Sequence, residues 1–261
     1  MNKSLIFNFN ADVSNIEKPL VFNNPFELFI PEIAILAAKE FQQFISLESE
    51  NWGHDFDTKR GKMFGVLVVQ KPDGEFGYLG TISGRIPENG VCNDFVPSVF
   101  DDAKDDFFLD RGMIELSEIG NEIKKIKDQV EINLLIEKRK QKSFVLQQQL
   151  FESYLFLNKS GEEKNVFDIF KNSSHGNPPV AAGECTAPKL LNYAFVNGLK
   201  PIALAEFWWG KGYNSSNKKH QSFYPACKNK CRTILEYMLD DYGLFNAAIN
   251  NPENKKGSKN V

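Results

Sequence analysis

The chain has 261 residues, is 42% hydrophobic and 25% charged, and carries a formal net charge of -3. That balance excludes collagen-like, low-complexity and wholly disordered chains, and it leaves room for one large domain or two small ones with real cores. No uncharged apolar run approaches the roughly 20 residues that cross a bilayer, and residues 1–20 lack the basic start, apolar centre and small-residue site of an export signal. The expectation is a soluble cytoplasmic chain with no membrane partner.

Residues 1–25 read as a loose N-terminal arm with one short strand. Pro31 opens a helix in which Ile33, Leu36, Ala37, Phe41, Phe44 and Ile45 recur at three- and four-residue spacing. Lys62 to Gln70 and Glu75 to Ser83 are β-branched and aromatic runs around Pro72-Asp73-Gly74, which predicts a hairpin. The segment 87–110 reads as irregular chain packed on that sheet. From Met113 to about Leu157 there is no proline, and Leu116, Ile119, Ile123, Ile126 and Val130 alternate steps of three and four. That is a heptad seam, predicting one long helix or two helices folded against each other. Phe167 to Phe170 is the last piece of this insertion. A helix follows Pro188, Pro201 to Trp209 is a buried strand, and Lys228 to Leu239 is a final helix. The expected organisation is an α/β core in two parts, residues 26–112 and 171–250, interrupted by a helical, coiled-coil-like insertion over 113–170 and ending in a disordered tail, 251–261.

The charge is uneven. Residues 1–112 carry 10 Lys+Arg against 18 Asp+Glu, whereas 113–261 carry 21 against 16. Lys218, Lys219, Lys228, Lys230 and Arg232, interleaved with Trp208, Trp209, Phe223 and Tyr224, form the pattern that suits a phosphate backbone and unstacked bases. Lys138, Arg139 and Lys140 make a second basic cluster on the insertion. In both places the alternative is a solvated rim over an aromatic core.

Three of the four cysteines fall at two expected helix starts: Cys185 at one, Cys227 and Cys231 at the other. Helix N-termini favour thiolates, and soft thiolates hold Zn²⁺. The order helix, hairpin, insertion, helix, strand, helix resembles that of zinc-dependent nucleobase deaminases, in which a His or Cys at one helix start and a P-C-x-x-C pair at the next bind one zinc. That resemblance implies a deaminase-like core with a structural zinc on Cys185, Cys227 and Cys231, and His220 as a candidate fourth ligand; three buried cysteines with no metal are the alternative. The spacing here is Cys-x-x-x-Cys, and Ala187 stands where the deaminase pattern has its catalytic Glu. A deaminase acting on a nucleobase would need a carboxylate recruited from Glu184 or Glu206.

Four stretches taken together, Gly61 to Val69, Gly183 to Leu191, Ala205 to Gly210 and Phe223 to Cys231, resemble the N-terminal extension of bacterial RluA-type pseudouridine synthases over about Phe26 to Leu239. That resemblance implies modification of rRNA or tRNA, carried out by an Asp in an H-R-L-D motif of a downstream catalytic domain and without a cofactor. Here His54, His175 and His220 are followed by Asp, Gly and Gln, so the motif is missing. The expected role is an accessory, non-catalytic module that engages RNA or docks on a separate catalytic domain. A homodimer through the helical insertion is a further expectation.

Overall fold

The computed structural model describes residues 4–86, 92–100, 107–171, 173, 176–212 and 217–239. The chain is mixed α/β, with six helices and a small antiparallel sheet among the described residues. Strands β1 (Phe7–Asn8), β2 (Lys62–Gln70), β3 (Phe76–Ile82) and β6 (Lys200–Trp209) form one sheet in the order β1-β3-β2-β6. The hairpin expected from its turn residues is present, with Val66 opposite Gly80 and Leu67 opposite Leu79. The late strand β6 pairs antiparallel with β2, and Ile202 is left as an extra residue where the register shifts between Val68 and Val69.

Side chains alternate across β2, so the sheet feeds two cores. Phe64, Val66 and Val68 face helix α1 (Glu32–Glu48), whose Ile33, Ala37, Phe41 and Ile45 are fully buried. Leu67 and Val69 face α5 (Thr186–Val196) and α6 (Lys228–Leu239), which pack against each other. The N-terminal arm is pinned rather than loose. The buried Glu40 carboxylate accepts the amides of Asn10 and Ala11, and the Asn23 side chain pairs both ways with the Leu204 backbone, occupying part of the free edge of β6.

The insertion is two helices, α2 (Phe108–Ile123) and α3 (Gln129–Ser153), folded against each other. The heptad seam does not run through continuously: Asp128 caps α3 by accepting the Glu131 amide at 2.9 Å, so the chain reverses where Ile126 would have extended the seam. Leu116 and Ile119 pack inside the hairpin, while Val130, Leu134, Phe144 and Val145 on α3 are exposed. After α3 come a short hairpin absent from the expectation, β4 (Leu155–Leu157) with β5 (Glu163–Asn165), and the helix α4 (Val166–Lys171). Asn192 on α5 ties that hairpin down, accepting from the Leu157 amide and donating to the Leu155 carbonyl. No helix among the described residues is long and apolar enough to cross a membrane. The expected tail, 251–261, lies outside the described residues.

Candidate metal centre

The course of the chain after β6 brings the cysteines together. Beyond Trp209 it turns back along the strand it has just left: the Gln221 amide donates to the Trp208 carbonyl, the Trp208 amide to Ser222, and the Tyr224 amide to the Glu206 carbonyl. This return strap covers the outer edge of β6 and delivers Cys227 to the start of α6. Cys231 follows one helical turn later, and its amide reaches the Cys227 carbonyl. Cys185 caps α5 from the neighbouring helix start. The three sulfur atoms lie within 4.8 Å of one another, Cys231 buried and the other two half-buried, and this group can hold a metal ion.

Their protonation is shared unequally. The thiols of Cys185 and Cys231 donate toward Cys227, and the amides of Lys230 and Asn229 at the start of α6 add to this, holding the Cys227 thiol far below its ordinary value. The same sharing pushes Cys185 up to about 12 and raises Cys231 as well. Among the described residues His220 is not part of the group: its Nδ1 accepts the Gly210 amide at 2.8 Å, and its ring lies 4.4 Å from that of Trp209.

Beside the cysteines sits a carboxylate whose place only the tertiary structure reveals. Glu206 on β6 is buried, opposite Gly65 of β2. Its Oε1 accepts the Thr186 hydroxyl and, at 3.2 Å, the Ala187 amide, both in the first turn of the helix that Cys185 caps. Oε2 receives no hydrogen bond from the described residues. Burial pushes this carboxyl up to about 7 against the pull of those two bonds and of Lys218, and the negative charge of Cys227 adds to the rise. The sequence signal was one acidic residue inside the otherwise apolar run PIALAEFWW.

Gly65 is what lets α5 come this close. A Cβ there would lie 2.8 Å from Thr186 Cβ and 3.0 Å from its Oγ1. Gly65→Ala is therefore expected to displace Thr186 from Glu206 and to destabilise the chain by about 1–3 kcal/mol, measured by denaturant unfolding. An unchanged midpoint would mean that the first turn of α5 yields freely.

The other carboxylate, Glu184, is engaged elsewhere: Ser98 Oγ donates to Oε2 at 3.0 Å and the Tyr154 hydroxyl donates to Oε1. Lys189, also unforeseen, is buried and donates to the carbonyls of Ile82 and Gly84 at 2.7 and 2.9 Å, locking α5 onto the end of β3. Burial lowers its ammonium to about 8.

The expected phosphate contacts divide. Lys218 turns inward: half-buried, its ammonium sits 5.1 Å from the Trp208 ring centre and 5.0 Å from that of Tyr224, in the field of Glu206, Cys227 and Cys185. Arg232 donates to Glu236 at 2.9 Å and lies over the Phe26 ring, and Arg139 donates to the Leu116 carbonyl at 3.2 Å. Lys219, Lys228, Lys138 and Lys140 are exposed and Lys230 is partly so. Trp208 and Trp209 are core residues.

Comparison with protein-family models, with curated proteins and with solved structures finds no match to this chain. The physical case for a metal is the charge. The Cys227 thiol, held low, and the buried Glu206 carboxyl lie near the half-buried ammonium of Lys218, and burying negative charge without compensation is costly. A divalent cation with an affinity for sulfur would offset that cost, and the three-sulfur donor set fits Zn²⁺.

Proposed function

We propose that this chain is a zinc-holding accessory module of RNA modification, related to the N-terminal extension of RluA-type pseudouridine synthases, and that it engages RNA rather than acting on it. The observation that carries this is the convergence of the four resembling stretches. Gly61 to Val69 supplies β2 with Gly65, Gly183 to Leu191 the cap and first turns of α5, Ala205 to Gly210 supplies Glu206, and Phe223 to Cys231 the strap and the cysteine pair. Stretches that stand far apart in the sequence meet at one centre. Cys185, Cys227 and Cys231 would hold the zinc, which there supplies cross-linking of α5 to α6. Of the expected phosphate contacts, Lys219, Lys228, Lys138 and Lys140 are exposed, Lys140 with Glu137 3.9 Å away, and these would meet phosphate. The absence of an H-R-L-D motif from this sequence supports a non-catalytic role.

Metal analysis of protein purified without chelator should return stoichiometric zinc. Binding to unmodified tRNA and to a ribosomal RNA stem-loop should weaken with salt, and replacing Lys219 and Lys228 by alanine should reduce the salt slope by about 1 for each lysine that touches a phosphate. Binding insensitive to salt, or unaltered in the double variant, would refute the RNA assignment.

A deaminase-fold hydrolase has one observation in its favour: Glu206 reaches the amide of Ala187, the position where the deaminase pattern carries its Glu. Ammonia release from cytidine, adenosine or RNA by the zinc-loaded chain would establish that activity and overturn the non-catalytic role.

A further inference from the structure

Sulfurs close enough to share a metal are also close to the distance of a covalent bond. The Sγ atoms of Cys185, Cys227 and Cys231 lie within 4.8 Å of one another. A disulfide needs about 2 Å between sulfurs and ~3.5–4.5 Å between Cβ atoms, so side-chain rotation closes the gap only where the backbones already stand near enough. Cys227 and Cys231 stand one turn apart at the start of α6, the Cys231 amide donating to the Cys227 carbonyl at 3.3 Å. Cβ atoms at that helical spacing are ~5–6 Å apart, so a bond between them has to open the first turn. Cys185 caps α5, a separate element, and is not held at that spacing. A disulfide that leaves both helices intact therefore includes Cys185.

Solvent decides its partner. Cys231 is fully buried, whereas Cys185 and Cys227 are partly exposed. A small oxidant arriving from water meets those two first. The fourth cysteine, Cys92, does not compete, because it packs against the core on the opposite face of the sheet.

We propose that the three-cysteine centre is an oxidation site for small peroxides, at which Cys185 is joined to Cys227 and the metal is expelled. The Cys227 thiolate attacks one peroxide oxygen: an S–O bond forms, the O–O bond breaks, and hydroxide leaves and is protonated by solvent. The Cys185 thiolate then attacks the Cys227 sulfur: an S–S bond forms, the S–O bond breaks, and a second hydroxide leaves. The two thiolates give up two electrons and the peroxide takes them. Zinc is left with the thiolate of Cys231, too few ligands to hold it. The new bond ties α5 to α6 in place of the metal, and a dithiol reductant reverses it.

The expulsion of metal rests on the zinc reading above, but the bond does not, and one experiment separates the two. The zinc-loaded full chain is treated with a small excess of hydrogen peroxide. Released zinc is followed with a chromogenic indicator, free thiols with a thiol reagent, and the linkage by mass spectrometry of unreduced tryptic peptides. Trypsin cuts after Lys228 and Lys230, which puts Cys227 and Cys231 on separate peptides. Zinc should be released in step with the loss of a pair of thiols, and the Cys185 peptide should be found joined to that of Cys227. A dithiol reductant with added zinc should restore the metal. The oxidised chain should melt above the reduced chain treated with chelator, because the bond restrains the unfolded state.

A bond from Cys231 to either of the others would overturn the pairing. Zinc retained under peroxide that oxidises a free cysteine peptide would overturn the oxidation site. Oxidation of single thiols to sulfinic acid without a disulfide would overturn the role of Cys185. A chain that takes up no zinc yet forms the Cys185–Cys227 bond would overturn the metal reading and leave the pairing standing.

Discussion

Cys231→Ser should abolish stoichiometric zinc and lower the thermal stability of the chain to that of the chelator-treated parent. Cys231 is fully buried, one turn into α6, with its sulfur beside those of Cys185 and Cys227. A serine hydroxyl is a hard, weakly acidic oxygen in a place that wants a thiolate, and it leaves zinc two good ligands. A metal that binds only the folded chain adds about 4 kcal/mol when present at a thousand times its dissociation constant. For a chain of this size that corresponds to a fall of roughly 8–16 °C in Tm. The same fall should follow treatment of the parent with a chelator, and chelator should leave Cys231→Ser unchanged. Cys92, partly buried against the core on the opposite face of the sheet, is the control: Cys92→Ser should keep its zinc. A Cys231→Ser protein that still carries stoichiometric zinc would exclude the site.

The second large effect lies on that opposite face. Phe41→Ala should cost about 3–5 kcal/mol in denaturant unfolding, at the upper end for core truncations. The Phe41 ring is fully buried in the middle of an aromatic cluster, with ring centres of Phe95 at 5.5 Å, Phe7 at 5.6 Å, Phe44 at 5.9 Å and Phe64 and Phe207 at 6.4 Å. Most of these contacts are edge-on, the arrangement that aromatic quadrupoles prefer. These neighbours come from β1, α1, β2, β6 and the segment around Phe95, so they cannot close together over the hole. Because the cluster is separated from the cysteines by the sheet, zinc content should be unaffected by the substitution. A loss below about 1 kcal/mol would mean that the cluster repacks, contrary to the behaviour of well-filled cores.

The contrast between the two sites shows how far residue patterns reach. The stripe Ile33, Ala37, Phe41, Ile45 is a local pattern, and α1 forms where it predicts. The β2–β3 hairpin likewise follows from its turn and its β-branched arms. Patterns lose force where competing local signals are equal. Ile126 continues the heptad spacing across residues 124–128, yet Asp128 can satisfy a helix start by itself, and the chain takes the break. Strands of three residues, such as β4 and β5, are too short to show a period at all.

The candidate site divides in the same way. Cysteines at two helix starts are visible in the sequence because helix boundaries are local. Three further facts are not local: Glu206 lies opposite Gly65, it reaches the first turn of α5, and Lys218 turns inward over Trp208 and Tyr224. Each depends on the antiparallel pairing of β2 with β6 across the whole helical insertion, and on a strap that returns along β6. A one-residue slip in that pairing would send Glu206 into the aromatic core.

The sequence by itself therefore determined α1, α5, α6, the β2–β3 hairpin, the uneven charge and the three thiols at helix starts, because each is set by neighbours a few residues away. The tertiary structure alone decided which carboxylate reaches the first turn of α5, which lysines remain exposed, and which face of the sheet carries the three cysteines. Those depend on strand register and on the burial of charge, and both are properties of the assembled sheet.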